Sequence, residues 1–459
     1  MHCGYVVKVD KLRPHTNADR LQIATFFGND TVVDLNTKVG DIGVYFPTDL
    51  QLSVEYCAEN NLVRKKDENG NEVGGYLDPD KRNIKAIKLR GEKSDGVFMP
   101  IHSFDFCYDG KCAVNELSIG DTISVVNGHE ICCKYIPRTN RRHGRPTDGN
   151  KTRKVKVDYA PLFEEHADTE QLAYNHGAFK NGDRVQITLK MHGTSQRTAY
   201  LPVLKGYKRT LWDKITKKTG TPIYEYDYVS GTRRVVMEDF EGGNSFYGSN
   251  AFREPHHNAF VGKLMRGETV YYEVVGFTDV GAPIMASATN DKLGKDFVKM
   301  YGKETVFSYG CHPDGGPIMH GKDDTSPFSI KQEMPKSDLY VYRMTITNED
   351  GFVVEYTPEF MRYRCEQMGV KTVQEFETFT IPAKEKKPGE YVQRKAEKYY
   401  DGTDPVGKTH IREGVVCRIL NRPKFCAYKH KNFPFKVLSG IAVESVDTSN
   451  MSEDILSEL

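Results

Sequence analysis

Nowhere does this 459-residue chain hold an apolar run approaching the roughly 20 residues that a membrane-spanning helix requires. Its first residues, MHCGYVVKVDKLRPH, have no basic segment followed by an apolar core, so the expectation is a chain that is not secreted. An excess of one charge is lacking too: 64 Lys and Arg stand against 63 Asp and Glu, a net charge of +1. Any electrostatic footprint must therefore be local rather than global. The cysteines, at positions 3, 57, 107, 112, 132, 133, 311, 365, 417 and 426, form no CxxC pair, which leaves a structural zinc site without its usual spacing. Free thiols in a reduced, intracellular and cytoplasmic setting are the reading that fits. Tryptophan occurs once, at Trp212, and no internal repeat is present.

What is present divides along the chain. Up to about residue 125 there are short strand-like stretches with turns, among them YVVKVDKL, RLQIATFF, DTVVDL, IGVYFP, IKAIKLR and GVFMPI, with DTISVV as an edge. A small closed or partly closed β-barrel over residues 1–130 is the economical arrangement. The stretch from Lys134 to Lys156 then holds nine Lys and Arg against one acidic residue, Asp148, and reads as a linker over 131–160. It is either a solvated tether or a phosphate-contacting strap. A mixed domain over 161–445 follows. TPEFMRYRCEQMG and PGEYVQRKAEKYY are its helix candidates, and TVYYEVVGF, LYVYRMTIT, IREGVVCRIL and KFCAYKHK are strand candidates. The remainder, 446–459, is acidic and expected to fray. The class expected is α+β.

One short stretch calls for chemistry. In VQITLKMHGTSQRTAY, Val185, Ile187 and Leu189 alternate with Gln186 and Thr188, a strand pattern that ends at Lys190 and a glycine. Such a lysine can be an edge residue facing water, or a nucleophile on a rigid element beside an open turn. Alone, the first reading is the simpler one. It does not stand alone. Lys190 is followed by SGTRRV (Ser230–Val235), YYEVVGF around Glu273, YVYRMT around Tyr342, REGVVCRI around Glu413, and AYKHKNFPFK with Lys429 and Lys431.

That order resembles the covalent nucleotidyltransferase superfamily of ligases and capping enzymes. The KxHG form and the EGVVxR and KxK endings are similar to its ATP-dependent RNA ligases. HTNADRLQIATFFG, VGDIGVYFP and IKAIKLRGEKSDGVFMP look like the OB module that some nick-sealing members carry in front. The resemblance covers roughly 1–120 and 180–440 and rests on the order of the motifs. It implies an N-terminal OB-like barrel, then a nucleotidyltransferase domain of ATP-grasp-like antiparallel sheets with helices.

It also implies three phosphoryl transfers. A lysine attacks the α-phosphorus of ATP, a 5′-phosphate end takes the AMP, and a 3′-hydroxyl displaces it to seal the strand. By resemblance, Lys190 is the nucleophile, and His192 and Gly193 lie at the nucleotide. Glu273 takes the ribose hydroxyls and Tyr342 stacks on adenine. Arg233 or Arg234 contacts the ribose or the terminal nucleotide of the 3′-hydroxyl strand. Glu413 organises magnesium or manganese, and Lys429 and Lys431 serve the phosphates. A free lysine amine is protonated at neutral pH, so surrounding positive charge must favour its neutral form. Each residue also has a plain reading: a strand-end lysine, a salt bridge from Glu413 to Arg412 or Arg418, a buried structural Glu273, a core Tyr342. The implied partner is a nicked duplex with RNA on the 3′-hydroxyl side, bound by a monomer without a membrane.

Departures are informative. Leu189 stands where these ligases often have an acidic residue, and His192 where DNA ligases and capping enzymes usually have Asp. The short stretch after Lys436 leaves no room for a C-terminal OB module. The lysine- and tyrosine-rich segment 201–228 reads as an added hairpin, solvated or touching nucleic acid. His102, Cys107 and Cys112, or His256 and His257, match no zinc spacing. A GTP-dependent capping guanylyltransferase and a non-catalytic OB-type RNA-binding protein are the alternatives.

Overall fold

The structure is a computed structural model that describes residues 2–48, 50–66, 72–108, 113, 116–135, 159–167, 169–210, 212, 220–233, 235–237, 239–240, 249–320, 330–438 and 442–443. Most of the linker segment, the acidic tail, Cys112 and Arg234 therefore lie outside the described residues. By contacts the chain divides into two units. One comprises Met1–Pro146, Asn290–Lys299 and Phe433–Leu459, the other Thr147–Thr289 and Met300–Asn432. Phe433–Leu438, expected from the sequence to lie in the second domain, group by contacts with the first unit.

The first unit is built from small, mainly antiparallel sheets. A four-stranded sheet runs in the order Val97–Pro100, Ile42–Phe46, Gly4–Lys8, Thr122–Ile123. A three-stranded sheet runs Leu12–Pro14, Leu21–Phe26, Asn29–Asp34. Alternation places Val6, Val44 and Phe46 in a core with Leu50, Leu52, Tyr56 and Phe104. Among the described residues these sheets are not joined into one closed barrel.

The second unit holds two larger sheets. The five-stranded one has the order Glu170–Gln171, Ala427–Lys431, Gly414–Ile419, Arg184–Leu189, Glu375–Thr380. The seven-stranded one runs Val236–Met237, Thr221–Gly231, Thr194–Lys208, Glu268–Gly276, Ser337–Thr347, Val353–Glu355, with Lys371–Thr372 beside Ser337–Thr347. Both expected helices form. Pro358–Met368 begins at Thr357, whose side chain accepts from Phe360 N, and stops at Gly369 in the left-handed region. It covers one face of the seven-stranded sheet through Met361, Cys365 and Met368, against Val270, Tyr272 and Val341. The helix Pro388–Ala396 covers the five-stranded sheet through Val392 and Ala396, against Val185, Ile187, Val415 and Cys417. Where 201–228 was expected to form a hairpin, Thr194–Lys208 pairs antiparallel with Thr221–Gly231, burying Leu201, Val203 and Val229 on one face.

A buried ion pair fastens the first of these helices. Glu268, fully buried, accepts from Arg364 Nε at 2.9 Å and Nη2 at 2.8 Å, from Tyr356 Oη at 3.0 Å and from Met265 N at 2.8 Å. Both carboxylate oxygens are thus saturated, which is what makes a buried charge tolerable. Arg364→Ala should cost about 3–5 kcal/mol in the unfolding of the second unit, because it leaves that carboxylate uncompensated. Pairing Arg364→Met with Glu268→Leu should recover most of the loss in denaturant melts. A loss below about 1 kcal/mol for Arg364→Ala would show the pair to be solvated.

Candidate active site

The Lys190 turn is the point where the chain crosses from one sheet of the second unit to the other. The strand Arg184–Leu189 ends in the five-stranded sheet, and Thr194–Lys208 starts in the seven-stranded one. Only Lys190–Gly193 lies between. Two adjacent strands bring the other charged groups to the same end. Gly414–Ile419 pairs with the Lys190 strand, with Leu189 opposite Val415, and this carries Glu413 to the turn. Gly414 in turn pairs with Lys431. On the other sheet Ser195 pairs with Glu273.

Glu413 is the hub. Its Oε1 lies 2.8 Å from Lys190 Nζ and 3.0 Å from Lys431 Nζ, while Oε2 lies 3.5 Å from His192 Nδ1. The side chain is 2% exposed. Burial pushes its carboxyl up, but Lys190, Lys431 and His192 outweigh that and hold it well below the usual carboxylate range. The salt bridge to Arg412 or Arg418 that the plain reading allowed is not what the carboxylate makes. Arg412 bonds the backbone of Thr403 and Tyr399, and Arg418 bonds Glu355 and the Tyr356 carbonyl. Burial pushes the His192 imidazole down against the pull of Glu413, which favours its neutral form. Oε2 of Glu413 is buried without a hydrogen-bond partner among the described residues. An anionic oxygen left in that state fits a hydrated divalent cation.

Glu273 is the second carboxyl. Burial pushes it up to about 7, helped by the negative charge of Glu413 and opposed by Lys190 and Arg233. Gly193 is a glycine for steric reasons: a Cβ there would sit 2.4 Å from the carbonyl oxygen of Val274. Gly414, with φ +146°, is tighter still, since a Cβ would sit 2.1 Å from the His430 carbonyl oxygen.

Two cavities share Lys190, Met191, Arg233 and Glu273 as a common wall. One is lined by Leu189, Val416, Met361, Phe425, His166 and Tyr342 together with polar groups such as Gln186 and Glu375. Its mixed apolar, aromatic and polar lining suits a small planar ligand. The other is polar and adds Arg253, Thr194, His192, Lys431 and Glu413. Strand alternation produces this split. Val185 and Ile187 enter the core while Gln186 and Thr188 face the first cavity, and Val415 and Cys417 enter the core while Val416 and Arg418 face it.

The structure therefore brings together Lys190, His192, Gly193, Arg233, Glu273, Glu413 and Lys431. Tyr342 lines the first cavity, its hydroxyl 2.9 Å from Ser195 Oγ. Lys429 lies two pairs along the strand from Lys431, opposite Val416, and is not among the residues lining either of these cavities. His256 is buried and bonds Ser337 Oγ at 2.8 Å, a packing role. Arg253 is a residue that pattern reading passed over. It is 2% exposed, bonds Thr194 Oγ1 at 2.7 Å and the Ser195 carbonyl at 3.2 Å, and lines the polar cavity. Its segment, NAFREPHHN, has no periodicity to mark it.

The raised Glu273 carboxyl gives a stability signature. Its folded value lies above the unfolded one, so its favourable contribution is complete below about pH 4.5 and is lost as pH rises toward about 7. Between those limits the native chain should lose up to about 3 kcal/mol relative to Glu273→Gln in denaturant melts. Parallel profiles for the two proteins would show that this carboxyl is ordinary. Gly193→Ala should leave the chain folded but shift the Lys190 turn, seen as changed chemical shifts confined to residues 189–196 and their neighbours.

No family model matches the chain, and no curated protein matches it. Solved structures do. A variant of the Naegleria gruberi RNA ligase with ATP and Mn superposes at a TM-score of 0.54 with 14% identity, over 96% of this chain and 98% of that one. A second variant of the same ligase with ATP and Mn gives 0.53 and 15%, over 95% and 98%. The ligase with PPi gives 0.51 and 14%, over 95% and 98%. At this identity the likeness speaks for architecture: the chain has the mixed α+β fold of an RNA ligase along nearly its whole length.

Proposed function

We propose that this chain is an ATP-dependent RNA ligase that seals 3′-hydroxyl/5′-phosphate nicks through a lysyl-AMP intermediate. The observation that carries the reading is the Lys190–Glu413–Lys431 cluster at the wall between an aromatic-lined cavity and a cationic one. The fold shared with ligase structures containing ATP and Mn supports it.

The chemistry follows from the placement. Adenine occupies the cavity between Val416 and Tyr342, and the phosphates occupy the one lined by Arg233, Arg253 and Lys431. The Lys190 amine forms a bond to the α-phosphorus, and pyrophosphate leaves. Lys431 shares a Glu413 carboxylate oxygen with Lys190 and so puts a second positive charge beside the amine. Glu413 would hold magnesium or manganese, which would supply positive charge at the phosphate oxygens. Arg233, Arg253 and Lys431 stabilise the negative charge that develops on the departing group. The AMP then passes to a 5′-phosphate, and a 3′-hydroxyl displaces it. Glu273, at the shared wall, accepts from the ribose hydroxyls.

The first unit acts as the OB-type module that holds the duplex flanking the break. Contacts of that kind go to phosphates and carry little sequence information, so binding is sequence-independent and weakens steeply with salt. The substrate is a nicked duplex with RNA on the 3′-hydroxyl side.

Incubation with ATP or GTP labelled at the α-phosphate, with magnesium or manganese, tests the reading. Label should pass from ATP to the native chain, and Lys190→Ala should take up none. Nicked duplexes differing only in the sugar at the 3′-hydroxyl end should then be sealed when that end is RNA. Transfer from GTP alone would make the chain a capping-type guanylyltransferase, and transfer from neither would make it a binding protein.

A further inference from the structure

The turn that carries Lys190 is gripped by a residue that no motif announces. The backbone N–H of His192 donates to the phenol oxygen of Tyr309 at 2.8 Å. Tyr309 is 3% exposed and has a φ of +50°. A bulky side chain in the left-handed region is an outlier that persists only where its surroundings over-determine it, and such outliers gather at functional sites.

Those surroundings are visible. The Tyr309 ring meets His410 edge-on at 4.6 Å, His410 meets Phe307 at 5.2 Å, and Phe307 meets the His192 ring at 4.6 Å. The four rings close a circuit that holds His192 by its backbone N–H and by its imidazole together. His410 is fully buried, its Nδ1 placed 3.0 Å from the Ile411 carbonyl oxygen, so the block has a fixed base. The backbone of the same turn is also held at its two ends: Lys190 N donates to the Gly414 carbonyl at 3.0 Å, and Gly193 lies against Val274 and Glu273. The Tyr309 bond lies between them.

We propose that Tyr309 is a positioning residue: by accepting the His192 N–H it sets the direction in which the turn presents the Lys190 amine. The geometry of the turn carries this claim, and the ligase reading enters only through the phosphorus that the amine attacks. Burial pushes the phenol far above its ordinary value, so Tyr309 keeps its proton at any working pH and its oxygen remains an ordinary acceptor. Phenylalanine at this position keeps every ring contact and removes only that oxygen.

Tyr309→Phe in the full chain is the test, read in two ways. Hydrogen exchange followed by peptide mass spectrometry should show faster exchange at residues 190–193, with the strand Arg184–Leu189 unchanged. Single-turnover adenylylation at saturating ATP should slow by about tenfold to a hundredfold, because a small misplacement of a reacting group is costly. The ATP concentration giving half the maximal rate should stay within about twofold. Exchange and rate both equal to those of the native chain would overturn the proposal. So would a slower rate accompanied by faster exchange throughout the second unit, since that is general loosening. If the native chain takes AMP from no nucleotide, the ligase reading falls, and exchange alone decides: a change confined to the turn supports the role of Tyr309, and no change overturns it.

Discussion

One buried carboxylate shared by two ammonium groups sets the arrangement of the second unit's site. Glu413 is nearly without solvent, and Lys190 and Lys431 lie 2.8 and 3.0 Å from the same oxygen. A carboxylate taken from water is tolerable only with such partners. The cluster carries two positive charges against one negative, so it has a net charge to offer an anion. It also keeps Lys190 from being an ordinary surface lysine. The Lys190 side chain is 23% exposed, and its amine lies 2.8 Å from the Glu413 carboxylate.

The sheets explain why this cluster can exist. Adjacent strands in register put Glu413, Lys190 and Lys431 at one end of the five-stranded sheet, and the chain then steps directly into the seven-stranded sheet that supplies Glu273. Each strand spends one face on its core and the other on a cavity. The result is a wall with an aromatic chamber on one side and a cationic chamber on the other, which is the division a nucleotide needs between base and phosphates.

Much of this was legible in the chain itself. The alternation of Val185, Ile187 and Leu189 located the strand, and Thr357 with Gly369 bounded a helix that formed as expected. The motif order named most of the residues that meet at the wall. The pattern was less informative where a residue's partner lies on a loop. Arg253 and Tyr309 come from irregular segments, so neither period two nor period 3.6 marks them, and their roles follow from tertiary contacts. Strand spacing put Lys429 and Lys431 on one face, and Lys431 lies 3.0 Å from Glu413. Spacing gives the face and not the distance along it. The N-terminal strands were readable, but the pairing of open sheets was not, because pairing depends on partners far along the chain.

The claim at the centre is that Glu413 releases the Lys190 amine when a divalent cation and nucleotide enter. Anomalous diffraction from crystals containing manganese and a non-hydrolysable ATP analogue tests it most directly. The account predicts an anomalous peak beside the Glu413 carboxylate, with the Lys190 amine drawn away from Oε1 toward the α-phosphate. Nucleotide bound with no peak there, and the Lys190–Glu413 pair intact, would contradict it.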